Sequence, residues 1–453
     1  METYIEKLEV DLKPYEIYEI FKAEKNSSFL DSGRDYDSIG RYSFIGINPF
    51  ITFKFINNNV YINGKYEKCD PFVKLKEIVN LYKSKNNIGL PFISGGIGYF
   101  SYDLSKNIEI SSCKDIEVPD IYFNFYDNII IFDNLRKETY ISALGVKNSK
   151  AISINEIKNK IYAGRQLHTK VNFNRNSSIK FQSNFLKEDY IAAINKIKKY
   201  IENGDAYVVN LTQRFKCKIK EEPFEIYKRL RKGNPAPFAA YLNLENLSVL
   251  SSSPERFINL HEGNIITTPI KGTTPRGENE EEDQYYRLQL FNSEKDKSEL
   301  LMIVDLERND LSKVCIPGTV KVIELFKIEK YATVFHLVST ISGKLKKDND
   351  FSDLIKAVFP GGSITGAPKI RAMEIIDELE VLNRNIYTGS IGYIGFDGNL
   401  DLNIAIRTIN IKDETAYFGV GGGITYESDS ESEYEETLIK AKALIKAIKG
   451  GVN

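Results

Sequence analysis

The chain has 453 residues, 42% hydrophobic and 27% charged, with Lys+Arg 61 against Asp+Glu 62 and a formal net charge of -1. That length exceeds what one simple core serves, so two domains or one large composite fold is expected. The balanced charge offers nucleic acid or an anionic membrane no general attraction, so neither is an expected partner. No window approaches the roughly 18 apolar residues of a membrane span. Residues 1–7 are charged, without the apolar core of a secretory signal, so a cytoplasmic protein is expected.

Residues 1–150 read as an N-terminal region of strands and short helices. Residues 42–46 and 51–55 are strand-like, and 71–84 carry a helical pattern. Residues 94–100 form a glycine-rich strand; with no Lys-Ser/Thr after it, it resembles a phosphate loop only superficially and is read as close packing. Residues 151–184 are polar and weakly patterned, a linker with one short helix near 151–162. Residues 185–449 form a second region. It opens with a helix over 189–203 capped by Gly204 and a strand over 206–218, and it ends in a helix that stops at Gly450. Cys69, Cys113, Cys217 and Cys315 lie far apart without metal spacing, which reads as reduced structural thiols. None has the Gly-x-Cys-x-Gly setting of a glutaminase nucleophile.

Lys271 is the candidate nucleophile. It follows a strand at 264–266, and Gly272, Pro275 and Gly277 are read as ending that strand and starting a loop. The plain alternative is a solvated surface lysine. Glu255 follows Pro254 at a strand end, where a fixed backbone can project a carboxyl; the alternative is a turn residue. Residues 298–310 read as a buried helix on which Glu299 either pairs with Lys295 or, buried away from it, calls for a cation. Glu433 and Glu436 share a face in the first turns of the last helix, where the positive helix end favours carboxylates. Glu433 alternatively closes a capping box with Ser430, and Lys440 is an i,i+4 partner of Glu436 or meets an anion. Convergence of Glu299 and Glu436 would make a two-carboxylate Mg²⁺ site with positions left for water and an anionic substrate.

An anion pocket is read at residues 359–369 and around Gly421, Gly422 and Gly423, where backbone N–H groups can approach a ligand. Arg407, read as part of a strand over 405–409, could hold a carboxylate bidentately or simply face solvent.

These stretches, with Gly40-Arg41-Tyr42-Ser43-Phe44-Ile45-Gly46 near the start and Tyr434-Glu435-Glu436-Thr437 near the end, resemble the chorismate-utilising enzymes of the anthranilate synthase component I type over nearly the whole length. The resemblance implies an α+β fold of two large, mostly antiparallel β-sheets packed as a sandwich with helices outside, formed by both halves together. It implies chorismate as substrate, Mg²⁺ held by Glu299 and Glu436 with Glu433 nearby, and Arg407, Tyr393 and the glycines at 421–423 around the pyruvyl carboxylate. His336 and Thr365 match positions near the ring carboxylate and the reacting carbons. Within the family, Lys at position 271 fits the members that make aminodeoxychorismate, isochorismate or salicylate, whereas anthranilate synthases typically carry Ala. Asn210-Leu211-Thr212-Gln213 and residues 363–369 look like the ammonia-using branch. That implies aminodeoxychorismate formation, with ammonia from a separate glutamine amidotransferase subunit. Anthranilate or isochorismate formation, or a non-catalytic tryptophan-binding role, are the alternatives. Phe29 to Gly33, Ser32, Tyr42, Ser43, Phe44, Ile45, Pro237, Phe238 and Ala239 resemble the family's tryptophan pocket. Asp31 replaces its usual Glu, and plain strand packing is the alternative there.

Overall fold

The computed structural model describes residues 1–36, 39–105, 116–164, 178–330 and 334–450; Cys113 and residues 165–177 of the linker lie outside them. The architecture grows from one antiparallel pair, Tyr42–Ile56 against Ile121–Asp133. The second of these strands is almost unbroken in Ile, Phe and Tyr, and all of its residues are buried. Such a run suits a strand covered on both faces.

Two arms of antiparallel strands leave this hub. One runs through Gly95–Phe100, Ser390–Gly395, Leu400–Asn403, Arg256–His261 and Asn264–Thr268 to Val334–Lys344, which also carries Ile270–Pro275 and Lys321–Lys330. The other runs through Ser28–Asp31, Phe238–Leu244, Leu247–Ser253, Thr408–Lys412 and Thr415–Ile424 to Val208–Lys218. Phe44, Ile97, Ile131, Leu242, Val249 and Ile391 from both arms form a common interior.

Helices cover the outside. Pro71–Leu81, Glu294–Val314 and Phe351–Val358 bury Leu75, Val304 and Leu354 against the first arm. Pro14–Phe21, Lys150–Gly164, Pro223–Gly233 and Ser430–Ile448 cover the second. The fold is the expected α+β sandwich, and both halves of the chain build it, since Ser28–Asp31 pairs with Phe238–Leu244. The helix expected in the linker is Lys150–Gly164, with Ile154, Ile157 and Ile161 in the core.

The glycine-rich strand is packing, as read. A Cβ at Gly98 would lie 1.9 Å from the Tyr122 carbonyl oxygen. Three readings change. The strands at 42–46 and 51–55 are one strand, Tyr42–Ile56, because an irregularity between Pro49 and Ile51 absorbs the proline without ending the ladder. The chain after Lys271 is also strand, Ile270–Pro275. Gly272 adopts φ +73 and the register passes from Lys271↔Leu337 to Thr273↔His336, so the glycine makes a bulge rather than a loop. Arg407 lies not in a strand but just before Thr408–Lys412, with a left-handed φ of 50. No described helix is long and apolar enough to cross a membrane.

Candidate active site

The bulge sets Lys271 at the centre of a polar cluster. Its Nζ donates to the Ser363 carbonyl at 3.4 Å, and the Asn210 Nδ2 donates to the same oxygen at 3.4 Å. Ser363 belongs to the short 3-10 turn Gly362–Ile364 in the glycine-rich stretch. Lys369 braces the chain just before this turn by donating to the carbonyls of Val358 at 2.8 Å and Pro360 at 2.7 Å, with Asp310 as its ion-pair partner. Thr365, wholly buried, donates its hydroxyl to the Gly361 carbonyl at 2.9 Å and so closes the same loop. At the lysine, then, the stretch presents a carbonyl, not the N–H nest expected of it.

Glu255 is 5% exposed, its backbone N–H bound by the Ser253 hydroxyl at 3.2 Å. Burial pushes its carboxyl above the usual range, against the opposing pull of the Ser363 hydroxyl and of Lys271. A buried carboxyl with raised proton affinity, within electrostatic reach of a lysine amine, places an acid near a nucleophile.

Glu433 and Glu436 converge on the strand Thr415–Ile424. A Cβ at Gly422 would lie 3.3 Å from a Glu433 carboxylate oxygen and 3.8 Å from both Glu436 Oε1 and Lys440 Nζ, whereas one at Gly423 would lie 3.5 Å from Lys271 Nζ. The glycines are therefore the gap through which the acids and the lysine approach one backbone. Beyond Phe418 that strand pairs only with Val208–Lys218 among the described residues, and Lys440 donates to the Gly421 carbonyl at 2.8 Å.

Glu436 also binds Lys440 at 2.7 Å, the simple i,i+4 pair. Burial alone would raise the Glu436 carboxyl, but Lys440, Lys295 and Lys271 hold it below its usual value. Glu299 goes the other way: burial raises it, Lys271 and Lys295 oppose this, and Asp296 and Glu433 add to it. The capping box for Glu433 does not form. Asp429 is the N-cap, taking the Ser432 N–H at 2.9 Å, and Glu433 accepts from the Ser428 hydroxyl at 2.7 Å with Lys295 at 3.9 Å. Among the described residues no group of three or more His, Cys, Asp or Glu is set to hold a metal ion. The acids that could hold one are Glu299 and Glu436 as a pair; Glu433 is committed to Ser428.

A cationic end lies across the bulge. His336 pairs with it through Thr273, whose hydroxyl sits 2.8 Å from Nδ1. Burial, followed by the positive charges of Arg407 and Arg34, holds His336 neutral down to about 3. Arg407 is itself lowered, by burial and then by Arg34. The two guanidinium groups dock on consecutive residues, Arg407 on the Asn234 side-chain oxygen at 3.3 Å and Arg34 on the Pro235 carbonyl at 3.2 Å. Arg34 already has Asp35 at 3.1 Å, so of these two adjacent guanidinium groups Arg407 is the one placed to receive a carboxylate.

Tyr393 is elsewhere, a correction to the expectation that it accompanies Arg407. The strand Ser390–Gly395 turns its ring into the sandwich interior, stacked on Phe92 at 4.4 Å and edge-on to Phe44 at 5.6 Å. There it lines a cavity of about 640 Å³ with Ser32, Tyr42, Phe44, Pro237, Phe238 and Ala239. Ser43 and Ile45, expected alongside, point the other way, since side chains alternate along a strand. Ser43 takes the Ser32 N–H at 3.0 Å, and Ile45 joins the core under the outer helices. Asp31 is buried against Arg231 and accepts from the Tyr227 hydroxyl at 3.1 Å.

Sequence reasoning singled out neither Ser363, Asn210 nor Arg34. The first two lie in stretches the motif reading quoted, but only the crossing of Val208–Lys218 with the 3-10 turn shows which of their atoms meet Lys271. Arg34 is 201 positions from Pro235 in sequence, and no spacing signals that contact.

The chorismate binding enzyme family matches residues 26–446. The chain is 39% identical to anthranilate synthase component 1 of Aquifex aeolicus over 436 residues, 92% of this chain and 88% of that one. It is 42% identical to aminodeoxychorismate synthase component 1 of Salmonella typhimurium over 359 residues, 79% of this chain and 77% of that one. Among solved structures, anthranilate synthase component I of Streptococcus pneumoniae TIGR4 superposes with a TM-score of 0.81 at 31% identity, covering 89% of this chain and 92% of that one.

Proposed function

The chain belongs to the chorismate binding enzyme family, and from that premise we propose that it acts as the aminodeoxychorismate-forming component, making 4-amino-4-deoxychorismate from chorismate and ammonia on the route to p-aminobenzoate and folate. The observation that carries this reading is Lys271, held in a strand by the Gly272 bulge, within electrostatic reach of the buried Glu255, whose carboxyl burial raises.

The chemistry balances as two allylic substitutions. The Lys271 amine adds to C2 of chorismate, the ring double bonds shift, and the C4–O bond breaks; Glu255 gives up its proton so that the hydroxyl leaves as water. Ammonia then adds to C4, the double bonds shift back, and the C2–N bond breaks, releasing Lys271 as the neutral amine. The proton shed by the new ammonium returns to Glu255. Arg407 would receive the pyruvyl carboxylate, and neutral His336 would donate to or accept from the ring substituents without adding charge.

Glu299 and Glu436 fit a Mg²⁺ ion. Burial disfavours the Glu299 charge, which a divalent cation would offset, while Lys440 and Lys295 supply the balancing charge for Glu436. Bound there, Mg²⁺ would neutralise the ring carboxylate. Ammonia would come from a separate glutamine amidotransferase subunit in the cytoplasm, in keeping with relatives named as component 1. The aromatic cavity, within the size range of small-molecule sites, would take tryptophan.

The relatives divide between two activities, so anthranilate formation is the second reading. Incubating the chain with chorismate, Mg²⁺ and ammonium and identifying the product decides between them. Aminodeoxychorismate as main product, with a chorismate adduct on Lys271 by mass spectrometry, is the expected result; anthranilate or isochorismate overturns the proposal.

A further inference from the structure

One buried polar atom beside Lys271, Asn210 Oδ1, has no hydrogen-bond partner among the described residues. A buried acceptor left unpaired costs about 1–3 kcal/mol, and such orphans in native structures call for an explanation. The Asn210 amide is not simply turned the wrong way round. Its Nδ2 donates to the Ser363 carbonyl at 3.4 Å, and exchanging the amide ends would set two oxygens against each other there.

The Asn210 backbone is equally fixed. Its N–H donates to the Thr365 carbonyl at 2.8 Å, its carbonyl accepts from Arg384 Nη2 at 2.7 Å, and it pairs in register with Gly423, whose missing side chain leaves room for Lys271 Nζ. Oδ1 is thus a rigidly held acceptor, shut away from solvent, on a side chain that shares an acceptor with the lysine amine. The Ser363 hydroxyl next to it lies against the Glu255 carboxyl, whose proton affinity it lowers as a hydrogen-bond partner.

We infer that Asn210 Oδ1, with the Ser363 hydroxyl beside it, is the docking site of the incoming ammonia. The inference rests on the amine-transfer reading of the site and adds the residue that receives the nucleophile. Ammonia carries N–H donors for an amide oxygen and needs no base to become nucleophilic. An amide oxygen accepts such a bond but is far too weak a base to deprotonate water. Asn210 and Ser363 themselves bring no base, so what they hold must be nucleophilic without prior deprotonation, as ammonia is. Asn210 is a binding residue for the nucleophile in this scheme and takes no proton.

The test uses the full chain with chorismate, Mg²⁺ and ammonium chloride as the sole nitrogen source. Asn210→Ala should raise the KM for ammonium at least tenfold, with the KM for chorismate within twofold and the Lys271 adduct still formed when ammonium is omitted. Asn210→Thr, which keeps an acceptor oxygen and guards against a folding defect, should recover part of the ammonium affinity. An unchanged ammonium KM, or ammonium and chorismate KM rising together, overturns the inference; the second result would mean that Asn210 contacts chorismate. Loss of the adduct in Asn210→Ala also overturns it, because Asn210 would then orient Lys271. If the wild-type product is anthranilate, the aminodeoxychorismate reading falls, while the same split of KM values, read on anthranilate, still decides whether Asn210 receives ammonia.

Discussion

The Lys271 cluster and the aromatic cavity are both built where the two sheet arms meet, yet they handle charge in different ways. Around the cavity, charges are matched within the protein: Arg256 grips Asp401 at 3.0 and 2.9 Å, Arg41 grips Asp133, and Arg231 covers Asp31. The rings of Tyr42, Phe44, Phe238 and Tyr393 share the lining with members of these ion pairs and with Asn259, Asn264 and Asn403. In the Lys271 cluster ion pairs also form, Glu436 with Lys440 and Arg34 with Asp35, but like charges are held close as well, with Glu299 beside Glu433 and Arg407 beside Arg34. A region that has closed its own ion pairs suits a small ligand with an apolar ring. One that keeps acids at one end and guanidinium groups at the other suits an anion carried on a cation.

The largest expected effect separates the two regions outright. Lys271→Ala should lower aminodeoxychorismate formation by at least about 10³-fold, while leaving tryptophan binding in the cavity unchanged; steady-state rates and calorimetric titration check the two halves. Retention of near-normal turnover would demote Lys271 to an electrostatic group.

Glu255→Gln should cost about 10² to 10⁴ in kcat. The wild-type rate should fall on the alkaline side as the burial-raised Glu255 carboxyl loses its proton, and that limb should be absent from the residual activity of the variant. A pH–rate profile identical in shape for both proteins would remove Glu255 from the acid role.

A smaller effect concerns stability. Glu307 lies behind the cluster and shares the Thr267 hydroxyl, at 2.9 Å, with the Phe257 carbonyl at 2.7 Å. One hydroxyl proton cannot serve two acceptors, so the arrangement suits a protonated Glu307, which burial pushes up to about 8. Its folded value is raised, so its contribution to stability is complete below the ordinary carboxylate range and is lost as pH rises through about 8. Glu307→Gln should therefore flatten the fall in melting temperature between about pH 5 and pH 9, with the variant ahead of wild type by on the order of 1 kcal/mol at the alkaline end. Parallel melting curves across that range would contradict it.

The smallest change is confined to the cavity. The chain contains no tryptophan, so indole absorbance released on denaturing the purified protein reports a bound ligand directly. Phe44→Ala, which removes the ring that meets Tyr393, should abolish that signal and leave the KM for chorismate within about twofold.

Periodicity and composition made much of this molecule readable. The helices ending at Gly204 and Gly450 and the packing role of the glycines at 95–98 are local consequences of side-chain pattern, which adjacent residues can carry. The ordered motifs placed Lys271, Glu255, Glu299 and Glu436 on one list, and the structure groups them. Local pattern failed where partners are distant. Gly272 reads as the end of a strand until Val334–Lys344 supplies the ladder that turns it into a bulge. Tyr393 reads as a neighbour of Arg407 until the pleat of its strand sends the ring to Phe92. A sequence fixes which side chains are available and which way a regular element presents them. Which atoms of Asn210, Ser363 and Lys271 share one carbonyl is decided only when two strands meet a turn 92 and 153 residues away from them in sequence, because hydrogen-bond geometry is set by positions in space and not by spacing along the chain.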